Sequence, residues 1–517
     1  MNIMRNCCLI SLAVLSGLSN VANAELKLPS LFSDAMVLHR NKPVRVWGWA
    51  TSGADISVSI ADQRHKATAN ADGRWQLNLK PLPAGGPHQL TVAGDGGEIT
   101  VKDLLIGEVW LCSGQSNMAM TVNRAKNFDA EAKAADYPQI RMFKVTSGHA
   151  REPQQHANGS WAVCSPDTVG SFSATAYFFG RRVHKELNVP IGLINSSVGG
   201  TSVESWTSMP AQSAVSAIKP RLDAWKESDT AYDEEAAKAR YEKSLAAWTQ
   251  KAKAARADGK KAPRKPQLAG RPRDDRNYPA NLFNGKINPL VGFTIKGAIW
   301  YQGENSSGRG FSHLYGDQLP TLITDWRTRW GQGDFPFAWV QLPNFRSPQT
   351  EPSQTDGWVQ VQEGMLKTLS LPNTGMAVTI DVGEAKDIHP KDKQSVGQRL
   401  AQWALASVYE KDMLPMGPIY RTSKVDGNKV IIEFDHSDGL RAKGDKVEGF
   451  AIAGPDKKFV WADAKIDGDK VIVSSDKVTE PASVRYAWAA NPVFSLYNAA
   501  NIPASPFRTD DWPEQSR

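Results

Sequence analysis

The residues able to do chemistry in this chain gather in four short stretches, the first being Gly114-Gln115-Ser116-Asn117-Met118. It follows the apolar run EVWLC at 108–112, so Ser116 falls where a strand gives way to a helical turn. Such a place presents a hydroxyl at the top of a sheet, among backbone N–H groups that can hold an anion. A serine hydroxyl is a weak nucleophile until a base takes its proton. VGEAKDIHP at 382–390 offers that base: His389 lies in a loop after another apolar run, with Asp387 two residues before it to orient the ring and stabilise an imidazolium. Acyl transfer also needs donors for an oxyanion. In SSVGGTSVESW at 196–206, the missing Cβ atoms of Gly199 and Gly200 let backbone N–H groups approach an oxygen. WYQGENS at 300–306 adds Gln302 and Asn305, either of which can donate through its amide, with Glu304 between them.

These stretches need a frame that brings them to one place. Apolar runs at 106–112, 189–197, 295–303, 337–342 and 376–381 alternate with helical patterns, which predicts a parallel sheet covered on both faces. Ligands in such sheets sit at the carboxyl ends of the strands, where all four stretches fall. Pro390 is expected to open a helix whose apolar face includes Val396, Leu400, Trp403, Ala404 and Val408. Before this region, apolar and polar residues alternate at 44–46, 56–60 and 75–79, with Asp72-Gly73 as a turn signal, and a small β-sandwich is predicted over 25–104. Alternation returns near the end, giving a β-domain over 411–517 whose segment 489–506 is expected to lean back on the α/β domain at 105–410.

The chain has 517 residues, of which 41% are hydrophobic, including 17 Trp and 17 Phe; this excludes a disordered chain and implies several folded regions. Its net charge of +7 invites a nucleic-acid reading, but the location of that charge argues otherwise. Residues 211–276 hold 16 Lys and Arg against 10 Asp and Glu, and outside this stretch and residues 1–24 the chain is formally neutral. Stretch 211–276 reads as a charged insertion with a surface helix from 233 to 257 followed by a mobile segment at 258–276, either a solvated linker or a contact for an anionic polymer. A formally neutral remainder suits a neutral sugar ester better than nucleic acid.

Arg5, an apolar run at 7–18 and Ala22-Asn23-Ala24 form the pattern of a signal peptide over 1–24, so export to the periplasm or medium without stable membrane insertion is expected. Cys112 and Cys164, the cysteines outside that leader, are either one disulfide or two buried thiols. The nine histidines show no metal-ligand spacing, and neither metal nor cofactor is expected.

Taken together, GQSNM, INSSVGGTSVESW, WYQGENS and DIHPKDKQSVGQRL resemble the blocks of the sialate O-acetylesterase-like branch of the SGNH hydrolases, over roughly 105–210 and 280–410. The resemblance implies a flavodoxin-like, three-layer α/β/α hydrolase domain flanked by the β-regions. It also implies a carbohydrate O-acetylesterase with Ser116 as nucleophile, His389 as base and then acid, and Asp387 as the triad acid. Gly200 and an amide of Gln302 or Asn305 would join the Ser116 N–H in the oxyanion hole. The partner implied is an acetylated carbohydrate, either a sialic acid or a plant polysaccharide such as xylan, xyloglucan or pectin. A carbohydrate-binding protein that keeps the fold without the catalysis is the rival from another class. A lipase or peptidase is disfavoured because the chain lacks a Gly-x-Ser-x-Gly elbow.

Overall fold

The computed structural model describes residues 25–308 and 310–513, so the leader expected at 1–24 lies outside the described residues. The central sheet runs in the order Thr374–Ala377, Phe337–Val340, Gly297–Tyr301, Gly97–Gly114, Ile191–Ser197, Tyr137–Val145, Gly159–Cys164. Every neighbouring pair is parallel except the last.

Side-chain alternation divides each strand between two cores. Trp300, Phe337 and Trp339 point to one face, where they meet Trp326 of helix Tyr315–Trp330 together with Trp358 and Met365 of helix Gly357–Lys367. Trp110, Ile299, Ala338 and Val340 point to the other face, against Phe178 and Phe179 of helix Ala174–Leu187 and Leu400 and Trp403 of helix Lys393–Trp403. The result is the three-layer α/β/α hydrolase domain anticipated from the sequence. Trp403 is fully buried and its Nε1 donates to the Thr374 carbonyl at 3.1 Å, locking the last helix to the sheet. Truncating a tryptophan so placed costs about 3–5 kcal/mol.

The strand Gly97–Gly114 is the longest among the described residues. Its first half pairs antiparallel with Gly85–Gly94 in the N-terminal β-region, and its second half is the middle strand of the hydrolase sheet. Its burial changes from mixed to continuous at Leu104. The break in sequence style near residue 105 therefore marks a change of environment inside one strand, with no linker there.

C-terminally, Ile419–Asp426, Lys429–Asp435, Lys470–Ser474 and Asp463–Asp467 form an antiparallel sheet with turns at Gly427 and Gly468. The segment that follows does return to the hydrolase domain: Phe345 N–H donates to Ala490 O at 2.9 Å and Gln341 Nε2 to Ser505 Oγ at 2.8 Å. Within the insertion, helix Glu234–Ala257 is capped by Asp233, whose side chain accepts from Ala236 N–H at 2.9 Å. Cys112 and Cys164 are both free and buried, and burial pushes the Cys164 thiol up to about 12. Among the described residues no helix is long and apolar enough to cross a membrane.

Candidate active site

The loops carrying the four stretches leave the carboxyl ends of neighbouring strands. Gly114 ends the long strand at φ +136°, and a Cβ there would lie 2.1 Å from the Tyr301 carbonyl oxygen. Glycine alone lets the two strands stay paired to this point while the chain turns into the short helix Ser116–Ala119. Ser116 is half-buried at the start of that helix, and its Oγ lies 2.8 Å from His389 Nε2. Two residues 273 positions apart thus meet as hydroxyl and base.

His389 is held by its own loop. Asp387 Oδ1 accepts the His389 backbone N–H at 2.9 Å and stands 3.6 Å from Nδ1. The first contact is a hydrogen bond; the second is too long for one and becomes an ion pair only when the ring is protonated. Burial lowers the His389 pKa below the usual 6.5, Asp387 raises it, and Lys393 and Arg124 lower it further. A histidine so poised is neutral and able to accept a proton near neutral pH. The following helix starts at Lys393, three residues later than the sequence suggests. Asp392 supplies the cap, accepting Ser395 N–H at 2.9 Å, and Pro390 stays in the loop.

Opposite the hydroxyl, Gly199 approaches so closely that a methyl on it would sit 3.3 Å from Ser116 Cβ. Gly200 has φ +70°. Among the described residues, neither the Ser116 N–H nor the Gly200 N–H finds an acceptor. Asn305 borders them, giving one of its two N–H groups to Gly200 O at 2.7 Å. Gln302, the other amide expected as a donor, is fully buried. Both its N–H groups are engaged, with Thr201 O at 3.0 Å and Ser306 Oγ at 3.1 Å, and its Oε1 accepts from Tyr315 Oη at 2.9 Å. Gln302 therefore braces the loops, and both its N–H groups are already engaged within the protein. Glu304, expected at the sheet edge, is instead buried.

Beneath Ser116 and His389 lies a polar network that the sequence motifs did not single out. Asn117 Nδ2 donates to Glu304 Oε1 at 2.5 Å and to Ile388 O at 3.0 Å. Lys393 Nζ donates to Asn117 Oδ1 at 2.7 Å and to Pro390 O at 2.6 Å. The carbonyls on either side of His389 are thus each tied down by a buried side chain. Burial lowers the Lys393 pKa from 10.5 to about 7 and raises that of Glu304. A signal for Lys393 was present in the sequence: a lysine in the first turn of a helix opposes the helix dipole and needs another reason to be there.

This arrangement can activate a serine hydroxyl and receive an oxyanion, the two requirements of ester hydrolysis through an acyl-enzyme. The family model described as carbohydrate esterase, sialic acid-specific acetylesterase matches residues 106–255 and 279–406. The chain is similar to the sialate O-acetylesterase of Rattus norvegicus, at 28% identity over 96% of this chain and 97% of that protein. It is similar to the Homo sapiens sialate O-acetylesterase at 28% identity, over 94% of this chain and 93% of that protein. Among solved structures, a carbohydrate acetylesterase from Xanthomonas citri superposes with a TM-score of 0.79 at 36% identity, covering 94% of this chain and all of that one. With its sheet, loops and matched segments in agreement, the chain belongs to the sialic acid-specific acetylesterase family of carbohydrate esterases and is a carboxylic ester hydrolase.

Proposed function

We propose that the chain is an exported serine O-acetylesterase that removes acetyl groups from sugar hydroxyls, as its sialate O-acetylesterase relatives are named for doing. The observation that carries this reading is the 2.8 Å contact between Ser116 Oγ and His389 Nε2 beside unoccupied backbone donors. Ser116 attacks the acetyl carbonyl as His389 takes its proton. The oxyanion is received by the Ser116 and Gly200 N–H groups and the second N–H of Asn305. His389 then gives that proton to the departing sugar oxygen, which leaves as a hydroxyl, and water activated by the same ring releases acetate and restores Ser116. Asp387 acts as the triad acid through charge and by fixing the loop. The pattern at residues 1–24 supports export to the periplasm or medium.

Ser116→Ala tests the assignment: p-nitrophenyl acetate hydrolysis is expected to fall by about three or more powers of ten. Retention of a tenth of the wild-type rate would refute the nucleophile. A binding protein on an esterase fold would leave Ser116 unlabelled by an organophosphonate, whereas an esterase incorporates one equivalent. Acetate release from acetylated sialic acid, xylan, xyloglucan and pectin then ranks the sugars.

A further inference from the structure

Where the basic insertion meets the catalytic loops, its arginines are paired. Arg221 Nε donates to buried Glu204 at 2.8 Å, and Arg271 and Arg273 reach buried Asp229 at 3.3 and 2.7 Å. Arg276 is different. It is exposed, and among the described residues no carboxylate or carbonyl lies within hydrogen-bond reach of its guanidinium. Two aspartates precede it, yet both are turned elsewhere: Asp274 pairs with Arg151, and Asp275 Oδ1 accepts Asn277 N–H at 2.7 Å.

The backbone at this point is pinned. Asn277 is buried, and its Oδ1 accepts the Ser202 N–H at 2.9 Å, which fastens the end of the insertion to the Gly199-Gly200 loop. A methyl on Gly200 would lie 3.5 Å from Arg276 Nη2, just as a methyl on Gly199 would lie 3.3 Å from Ser116 Cβ. A guanidinium with no internal partner therefore stands across two glycines from the Ser116 hydroxyl. Its planar fork of donors matches a carboxylate in shape and charge. Arg124, exposed at the end of the short helical turn Val122–Arg124, adds a positive charge to the field at His389. Arg276 belongs to the stretch that carries the chain's excess positive charge, and at this position an acidic sugar complements it where a neutral polymer does not.

We propose that Arg276 is a specificity-determining residue that holds the carboxylate of an acidic sugar ester while the acetyl group lies at Ser116. This rests on the esterase reading above. The carboxylate could belong to a sialic acid or to a uronic acid, and the experiment separates the two. Wild type and Arg276→Gln are compared on 9-O-acetyl-N-acetylneuraminic acid and on acetylated oligogalacturonate, each as the ratio of its kcat/KM to that on p-nitrophenyl acetate. The ratio is expected to fall about ten- to hundredfold in the variant, the scale of one lost charge-assisted hydrogen bond. Arg276→Lys should recover part of the loss, and added salt should lower the wild-type ratio more than that of the Gln variant. A fall confined to the neuraminate assigns the sialic acid, and one confined to the galacturonate assigns the uronic acid. Ratios unchanged within twofold on both esters overturn the proposal, as does a wild type that hydrolyses p-nitrophenyl acetate but neither acidic ester. A wild type inactive even on p-nitrophenyl acetate would instead sink the esterase reading itself.

Discussion

Lys393→Met puts the buried network to a demanding test, because its effects on stability and on turnover come from different atoms. The side chain is fully buried, and its Nζ serves two acceptors, Asn117 Oδ1 at 2.7 Å and Pro390 O at 2.6 Å. A neutral amine has two N–H groups, enough for both. With a folded-state pKa of about 7 against 10.5, the unfolded chain binds the extra proton between these values, so the folded state gains stability as pH rises through that window. At about 1.4 kcal/mol per pH unit, two units above pH 7 add on the order of 2–3 kcal/mol. Methionine keeps the apolar stem and removes both the donors and the titration. At pH 9 the variant should be destabilised by about 2–4 kcal/mol, because two buried acceptors lose their partner. At pH 6.5 the deficit should shrink, since the wild type then carries the cost of a buried charge. Urea unfolding followed by tryptophan fluorescence at both pH values measures this. Turnover should fall about ten- to hundredfold with KM little changed, because freeing Pro390 loosens the residue next to the proposed base, and misplacement by roughly 1 Å costs about a hundredfold. A folded variant whose kcat stays within threefold of wild type would refute the positioning role. A destabilisation that does not change with pH would refute the titration.

Other perturbations follow from the same geometry. Wild-type kcat/KM should fall on acidification through the His389 pKa, which lies below 6.5. Asp387→Asn removes an anion that raises this pKa, so the acid limb should move to lower pH; Arg124→Ala removes a cation and should move it upward, less so in high salt. Because Asp387 stands 3.6 Å from Nδ1 and its side chain is 46% exposed, its amide variant should lose only about ten- to hundredfold in kcat, against about ten-thousandfold for a buried triad acid. A loss beyond a thousandfold would mean a tighter contact forms with substrate bound. Gly199→Ala sets a methyl 3.3 Å from Ser116 Cβ and should reduce kcat about tenfold while changing stability by less than about 1 kcal/mol, as checked by thermal unfolding. In a chain lacking residues 1–24, Cys112 and Cys164 should react with a thiol reagent only after denaturation, titrating as two thiols.

The strands and the loops that bear Ser116, His389 and Gly200 were legible because apolar runs, glycines and the position of a loop after a strand are local properties of sequence. The division of labour between Gln302 and Asn305 was not. Tyr301 faces the helix layer that includes Trp403, alternation turns Gln302 towards Tyr315, and Gly303 at φ +149° then redirects the chain so that Asn305 reaches Gly200. That outcome depends on the packing of a helix far along the chain. The anchoring of the insertion was not legible for a similar reason. Its composition is that of a linker, but Arg221 with Glu204 and Asn277 with Ser202 bind its two ends to the catalytic loops through contacts no local pattern records. Lys393 was overlooked, despite the cue of a lysine in a first helical turn, because a charged residue inside a motif looks like part of a solvated helix until its burial is known.

The strand Gly97–Gly114 begins in a hairpin of the N-terminal β-region and ends two residues before Ser116. The N-terminal region is therefore no detachable appendage. Cutting the chain at 104/105 would leave half a hydrogen-bonded ladder without its continuation and unseal the apolar side chains of Val101 and Leu104. Strain applied to the β-region would be transmitted along one extended backbone to the nucleophilic serine. The two regions should accordingly melt in a single transition, and shortened versions should lose esterase activity together with solubility.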